Sequence, residues 1–227
     1  MKILLEDIRR RYGKKVVIDD FSWTIDLEKE NILGLIGPNG AGKTTVLKII
    51  SGIYTFESGS ISTSQGSEDY SSWARENISF LQSGERGLRY RNSVYDNVKY
   101  FGALKAVDPS VTENLYRKYS KLLSMEDFKD RNIGDLSTGE KKKAALLSAL
   151  SSGNKIIILD EPSDGLDISG KMELQNIIKK ISNESKTKFI ISTHDIEFIS
   201  GIGDSYAFIT KGNIKYIKDS PMSIEEI

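Results

Sequence analysis

The chain lacks cysteine, an excess of charge of either sign and any long apolar run. Without cysteine, its 227 residues form no disulfide, ligate no iron–sulfur cluster and perform no thiol catalysis. The 32 lysine and arginine residues balance 32 aspartate and glutamate residues, so no broad basic face for nucleic acid is expected. No apolar run approaches the roughly 20 residues that span a bilayer, and acidic residues interrupt the apolar start of the chain, unlike a signal peptide. These absences favour a cytoplasmic protein that reaches a membrane only through a partner.

Proline and histidine are also scarce. The four prolines and the absence of low-complexity sequence leave no obvious linker, so we expect a single domain over residues 1–227. The only histidine, His194, follows directly on an apolar run, which makes it a candidate functional residue.

The apolar residues that are present predict an alternation of strands and helices. Three short, almost wholly apolar runs predict buried parallel strands, at Ile32–Ile36, Ile156–Leu159 and Phe189–Ser192. A helical pattern follows each of them, at Lys43–Ile50, Ser169–Ile181 and Asp195–Ile199. This order favours an α/β fold with a mostly parallel central sheet.

The rest of the chain departs from that alternation. Val16–Ile18 and Phe21–Leu27 alternate on either side of Asp19-Asp20, which predicts a turn and a small N-terminal antiparallel sheet. Residues from about 83 to 131 are mainly helical, so we expect a core of 1–82 and 132–227 that carries a helical subdomain. The other predicted elements are a strand at Ser60–Thr63, helices at Val94–Leu104 and Val111–Leu123, and final strands at Tyr206–Ile209 and Ile214–Ile217.

A glycine-rich loop joins the first predicted buried strand to its helix. Gly37-Pro-Asn-Gly-Ala-Gly-Lys-Thr44 matches the P-loop pattern Gly-x-x-x-x-Gly-Lys-Thr in full. Glycines let backbone N–H groups wrap a polyphosphate, and the helix N-terminus adds its positive dipole end. Lys43 is expected to hold the β and γ phosphates during catalysis, and the Thr44 hydroxyl to bind Mg²⁺. The predicted nucleotide contacts are Gly37, Pro38, Asn39, Gly40, Ala41, Gly42, Lys43, Thr44 and Thr45.

Two adjacent carboxylates, Asp160 and Glu161, follow the second predicted buried strand. Neighbouring residues at a strand end point in different directions, so one can face a metal ion while the other faces an attacking water. Asp160 is therefore the second candidate Mg²⁺ ligand, and Glu161 the candidate general base. Asp-Glu-Pro is also a common surface turn, but its position after a phosphate loop favours the catalytic interpretation. The guanine-binding motif Asn-Lys-x-Asp is missing, which favours ATP as the nucleotide.

The segment Leu136-Ser-Thr-Gly-Glu140 resembles the signature Leu-Ser-Gly-Gly-Gln of the ATP-binding cassette (ABC) family. Together with the phosphate loop and the carboxylate pair, in this order, it gives a resemblance that covers the whole chain. The resemblance implies that Ser137 and Gly139 clamp the γ-phosphate held by the P-loop of another subunit. Thr138 and Glu140 depart from the signature. Ser137 and Glu140 also have the spacing of a helix capping box, a role compatible with the first.

The resemblance assigns roles to further residues. Gln82 corresponds to the Q-loop glutamine that contacts Mg²⁺ or the attacking water, although alone it would pass for a surface residue. His194 corresponds to the switch histidine that hydrogen-bonds the γ-phosphate. Tyr12 corresponds to the aromatic residue that stacks on adenine, although a structural tyrosine also fits. Ser163–Asp167 resembles the D-loop that crosses to the other subunit, with Asp164 in place of the usual small residue.

The resemblance also implies a function and partners. It describes an ATPase that binds Mg-ATP at a dimer interface, with a copy of itself or a related ABC ATPase, and drives transport through separate integral-membrane permease subunits. Such a complex lies on the inner face of the cell membrane, and no nucleic acid partner is expected. Asn92–Lys105 resembles the stretch after the Q-loop in exporter-type cassettes, which favours export. An importer subunit and a soluble ABC ATPase of iron–sulfur assembly or cell division remain alternatives.

A docking surface for the permease is expected between the Gln82 loop and the helical insertion, roughly Ser83–Leu104. Exposed arginine and tyrosine are enriched at protein contacts. The segment contains Arg86, Leu88, Arg89, Tyr90 and Arg91. A solvated basic loop is the alternative interpretation.

Overall fold

A computed structural model describes residues 1–66, 69–85 and 87–219. Its strands are β1 (Lys2–Tyr12), β2 (Lys15–Asp26), β3 (Ile32–Ile36), β4 (Ser58–Thr63), β5 (Ile78–Leu81), β6 (Ile156–Asp160), β7 (Lys188–Thr193), β8 (Ser205–Thr210) and β9 (Asn213–Asp219). Its α-helices are α1 (Lys43–Ile50), α2 (Tyr70–Asn77), α3 (Val94–Leu104), α4 (Pro109–Leu122), α5 (Thr138–Ser151), α6 (Ile168–Ser185) and α7 (Ile196–Ser200). Short 3₁₀ turns lie at Ser83–Glu85, Glu126–Phe128 and Ile133–Asp135.

The central sheet has six strands in the order β5-β6-β7-β3-β8-β9. Every neighbouring pair is parallel except β8 and β9. Successive side chains of a strand point to opposite faces, and in β6 both faces are buried. Ile157 and Leu159 pack into one core cluster with α3 to α7, whereas Ile156 and Ile158 pack into a second with α1, α2 and the N-terminal sheet. The predicted α/β fold with a mostly parallel sheet is confirmed, and burial of both faces explains the almost wholly apolar strands.

The N-terminal strands form a three-stranded antiparallel sheet in the order β2-β1-β4. The predicted turn at Asp19-Asp20 is wrong, because β2 runs straight through these residues. The pairing shifts by one residue between Ile8↔Phe21 and Arg10↔Ile18, and Asp20 adopts φ 53°. This is a β-bulge, which breaks the alternation of buried residues as a turn also does. The chain reverses instead after Tyr12, where Gly13 has φ 58°.

The helices α3 and α4 confirm the helical character of the segment that follows Gln82. Helix α3 has the predicted bounds, and α4 begins before the predicted Val111 because Asp108 caps it by accepting the Ser110 N–H at 2.8 Å. Both helices pack against α5, which belongs to the part of the chain assigned to the core. The division of the chain into a core and a helical subdomain stays a prediction.

Helix α2 is not predicted by the apolar pattern. Only Tyr70 and Ala74 are buried in it, and its start is fixed by Asp69, whose carboxylate accepts the N–H groups of Ser71 and Ser72. Across the three described ranges, no helix combines the length and apolar character needed to cross a membrane.

Candidate functional site at the carboxyl edge of the sheet

Three adjacent strands deliver the predicted catalytic residues to one edge of the sheet. Strands β6, β7 and β3 are neighbours and parallel, so their carboxyl ends lie side by side. The phosphate loop follows β3, the carboxylate pair ends β6 and His194 follows β7. Residues that are distant along the chain therefore meet, as expected where ligands bind to open α/β sheets.

The phosphate loop has the backbone that its glycines predict. A Cβ at Gly37 would lie 2.3 Å from the carbonyl oxygen of Ile209, and Gly42 adopts φ 104°, which disfavours other residues. Gly42 is the N-cap of α1 and makes no side-chain cap, so the first N–H groups of the helix remain available to an anion. The loop lines a cleft of about 280 Å³ together with Lys15, Val17 and Glu161. This cleft can hold a polyphosphate.

Lys43 is 6% exposed, and its ammonium group lies inside this loop. It donates to the carbonyl oxygens of Gly37 at 2.7 Å and Pro38 at 3.3 Å. It also forms an ion pair with Glu161, 2.9 Å from Oε1. A buried cation that already pairs with a carboxylate can transfer its contacts to phosphate oxygens of the same charge.

Thr44 and Asp160 offer adjacent oxygen atoms. The Thr44 hydroxyl donates to Asp160 Oδ2 at 2.9 Å, and the Ser192 hydroxyl donates to Oδ1 at 2.6 Å. Hydroxyl and carboxylate oxygens are the ligands that Mg²⁺ prefers, so the donor set fits this ion. Gln82, the third predicted ligand, lines a small cavity together with Asp160 and Pro162, which places all three candidates at the same end of the sheet.

Glu161 connects the loop to the histidine. Its Oε2 accepts the backbone N–H of His194 at 3.2 Å and lies 2.9 Å from His194 Nδ1. Glu161 adopts φ 49°, a strained conformation for a non-glycine residue and one that clusters at functional sites. The side chain of His194 is 46% exposed, so the imidazole can reach a ligand outside the strand ends.

Ser137 and Glu140 form the capping box that their spacing predicts. Glu140 Oε2 accepts the Ser137 N–H at 2.7 Å, and Ser137 Oγ accepts the Glu140 N–H at 3.3 Å. The hydrogen bond from the Ser137 backbone holds the pKa of Glu140 below its ordinary value. Neither Ser137 nor Gly139 lines the cleft at the phosphate loop. The structure thus does not bring the signature to the phosphate loop of the same chain.

Tyr12 lies next to the helix that follows the loop. Its hydroxyl is 3.4 Å from Thr45 Oγ1, and the residue is 42% exposed. An exposed aromatic ring near the phosphate loop can stack on a base.

The sequence patterns assign no role to two residues at this edge. Ser192 is fully buried and bonds Asp160, but within an apolar strand it looks like an ordinary small residue. Asp164 places a carboxylate oxygen within 4.8 Å of the ligand atoms of Glu161 and His194. In the sequence, the signal for this position was that Asp164 replaces the small residue usual in D-loops. In the structure, Asp164 adds negative charge beside Glu161, the candidate base.

The family model described as ABC transporter matches residues 19–164 of this chain. The chain belongs to the ABC transporter family. The ABC transporter ATP-binding protein NatA of Bacillus subtilis is 34% identical over 94% of the chain and 88% of its own length. The lantibiotic transport ATP-binding protein SrtF of Streptococcus pyogenes is 31% identical over 98% and 94%. The tungstate uptake system ATP-binding protein TupC of Peptoclostridium acidaminophilum is 32% identical over 94% and 97%.

Solved ABC structures have the same fold. The structure of cbiO1 from Clostridium perfringens, part of the ABC transporter complex cbiONQ, superposes with a TM-score of 0.84 and 26% identity. It matches 96% of this chain, which spans 88% of that structure. The chain is therefore an ATP-binding, ATP-hydrolysing subunit of an ABC transporter, as the resemblance implied. Its relatives include both export and uptake proteins by name, so membership leaves the direction of transport open.

Proposed function

We propose that this ABC ATPase hydrolyses Mg-ATP at two sites shared between two copies of the chain and thereby drives export through separate membrane subunits. The observation that carries the catalytic part is the contact of Glu161 with both Lys43 and His194, next to the Thr44–Asp160 pair. This arrangement brings a base, a cation, a histidine and a set of magnesium ligands to one edge of the sheet.

Each of these residues has a separate task. Lys43 and the N–H groups of the loop bind the phosphates. Thr44, Asp160 and Gln82 would hold the Mg²⁺, which would supply charge neutralisation at the phosphates. Glu161 accepts a proton from the water that attacks the γ-phosphorus, while the bond to the ADP oxygen breaks. His194 donates a hydrogen bond to the γ-phosphate from its exposed ring.

The signature completes the site of the other copy. The capping box ties the Glu140 side chain to the Ser137 backbone N–H, and the Glu140 N–H to Ser137 Oγ. The N–H groups of Thr138 and Gly139, in the first turn of α5, can bind an anion. Because Ser137 and Gly139 lie outside the cleft of their own phosphate loop, a second chain is the natural source of that anion.

Mixing two inactive variants tests the shared sites. Lys43→Ala disables one phosphate loop, and Ser137→Arg blocks one signature, so each variant alone should lose ATPase activity. A mixed dimer contains one intact site, made from the loop of the second variant and the signature of the first. Mixing should therefore restore phosphate release, whereas mixing either variant with itself should not. No recovery in a mixture that forms dimers would contradict the shared site.

The loop after Gln82 carries the proposed docking surface. Arg89 stacks on the ring of Tyr100 at 3.9 Å, and Tyr90 is 44% exposed beside the Lys141 ammonium, 5.6 Å away. Leu88 is buried instead, and Arg86 lies outside the described residues. Backbone bonds tie this loop to the segment before the signature, including Gly134 N–H to Tyr90 O at 2.9 Å. A permease that moves Tyr90 would thus act on the start of α5.

Docking and direction are tested on membranes. The double variant Arg89→Ala/Tyr90→Ala should keep the ATPase activity of the isolated chain but lose co-purification with polytopic membrane proteins. The matched control is Arg117→Ala, which removes an exposed arginine paired with Glu113 on α4. Full retention of the partner by the double variant would place the docking surface elsewhere.

ATP-dependent transport by inverted membrane vesicles that carry the complex measures the direction of transport. Uptake into such vesicles corresponds to export from the cell.

A further inference from the structure

Tyr12 belongs to a cluster of four side chains, and the proposed function assigns a role to Tyr12 but to none of the other three. Its ring meets that of Tyr54 edge to face, with centroids 6.1 Å apart and planes at 69°. The Arg10 guanidinium lies 5.2 Å from the Tyr12 centroid and 5.4 Å from that of Tyr54. The Lys48 ammonium lies 5.0 Å from the Tyr54 ring and donates to its hydroxyl at 3.5 Å. Three separate elements supply these residues.

The cluster is attached to the helix that carries the phosphate loop. Tyr12 contacts Thr45 at 3.4 Å, and Tyr54 contacts Lys48, one turn further along α1. Positions three apart lie on the same face of a helix. Both tyrosines therefore contact the helix that begins at the phosphate loop, which sets the distance of their rings from the residues proposed to bind phosphate. In the proposed function, these contacts also set the distance between a base stacked on Tyr12 and the phosphates of the same nucleotide.

Arg10 is held by the rings more than by hydrogen bonds. Among the described residues, its buried Nε has no hydrogen-bond partner, and its Nη1 makes a long hydrogen bond to Thr55 Oγ1 at 3.5 Å. A guanidinium over aromatic faces is attracted by their quadrupoles. The hydrogen bond with Tyr12, assisted by Lys48, also lowers the pKa of the Tyr54 hydroxyl. Arg10 and Tyr54 thus each limit the orientations open to Tyr12.

We propose that Tyr54 and Arg10 are positioning residues that hold the exposed ring of Tyr12 in the orientation required to stack on the adenine base. The inference rests on the proposed function, in which Tyr12 binds adenine. A ring fixed before binding loses less conformational entropy when the base arrives. Tyr54 and Arg10 therefore contribute to the affinity for a nucleotide through Tyr12 alone, and contribute nothing to the affinity for its phosphates.

Calorimetry with Mg-ADP and Mg-pyrophosphate separates base from phosphate binding. Tyr54→Ala and Arg10→Met should each weaken Mg-ADP binding by roughly 2- to 10-fold, the range of an aromatic or cation–π contact. Both should leave Mg-pyrophosphate binding unchanged. The control is Arg11→Ala, because Arg11 points to the other face of β1 and pairs with Glu57 at 2.7 Å. Arg11→Ala should bind both ligands normally.

A double-mutant cycle tests whether these residues act through Tyr12. In a Tyr12→Ala background, Tyr54→Ala should cause no further loss of Mg-ADP affinity. An additive loss, an equal loss for pyrophosphate, or unchanged Mg-ADP binding in both single variants would each overturn the positioning role. If Tyr54→Ala fails to fold, Arg10→Met decides by the same criteria. Absence of Mg-ADP binding by the unaltered chain would instead overturn the proposed function, and this inference with it.

Discussion

Glu161 contacts both Lys43 and His194 at the sheet edge, whereas Ser137 and Glu140 bond to each other at the start of a single helix. The first group is assembled from distant parts of one chain, and its Lys43 and Glu161 are buried. The second is local in sequence and caps the Glu140 N–H, while the N–H groups of Thr138 and Gly139 can bind another molecule. We infer from this difference, in line with the proposed function, that one chain supplies most of a catalytic site and that its signature serves a ligand held by a second chain.

Replacing Glu161, the proposed base, should lower the hydrolysis rate more than any other substitution at the sheet edge. Glu161→Gln should keep Mg-ATP binding but slow hydrolysis by about 10²–10⁴-fold, because the amide cannot accept the proton from water. The bound γ-phosphate should then hold two chains together, as size-exclusion chromatography with light scattering would reveal. Glu173→Gln is the control, since Glu173 is half exposed and pairs with Lys143, away from the phosphate loop. Normal hydrolysis by Glu161→Gln would assign the base to another residue.

Much of this sheet edge was predictable from sequence, because strand ends are marked by short patterns. The apolar runs predicted β3, β6 and β7. The polar residues that follow these runs match the phosphate loop, the carboxylate pair and the histidine expected in that order. Parallel pairing then dictates that these ends lie together. Ser192 and Tyr54 could not be identified in this way, since their roles depend on which distant side chain faces them. The bulge at Asp20 was missed because the pattern of buried residues alone does not distinguish a bulge from a turn.

Lys43→Ala should weaken nucleotide binding by roughly 10- to 100-fold, as expected for the loss of a charge-assisted hydrogen bond. It also leaves Glu161 without its cation, 2.9 Å away in the unaltered chain. The hydrolysis rate should therefore fall together with the binding of Mg-ATP, measured by calorimetry. Lys99→Ala provides the control, since Lys99 is exposed and pairs with Asp96 on α3, outside the loop. Wild-type turnover in Lys43→Ala would refute the assignment of this loop.

Ser192→Ala, at the same sheet edge, should have a smaller effect on ATPase activity. It removes the 2.6 Å hydrogen bond to Asp160, whose carboxylate keeps the Thr44 hydroxyl as a donor. We expect the Mg²⁺ concentration for half-maximal ATPase activity to change by about 3- to 10-fold, less than the full value of a hydrogen bond to a charged group because Ser192 acts only through Asp160. Ser148→Ala is a matched control, because Ser148 is equally buried but bonds the carbonyl of Ala144 within α5. An unchanged Mg²⁺ dependence would show that Ser192 only fills space.

The smallest effect is expected at the signature, where Glu140→Gln should leave ATP-driven dimerisation nearly unchanged. Glutamine also serves in a capping box, and the Glu140 side chain points back to Ser137 instead of toward a partner. Glu140→Ala removes the carboxylate half of the capping box, keeps the Ser137 cap and should destabilise the protein by about 1 kcal/mol, seen as a lower melting temperature. Because the pKa of Glu140 is lowered in the folded chain, its contribution is present above the ordinary glutamate pKa. That contribution is lost as the pH falls through the lowered value, so Glu140→Gln should reduce the loss of stability in acid. A large gain in dimerisation by Glu140→Gln would mean instead that this carboxylate repels the ATP of the second chain.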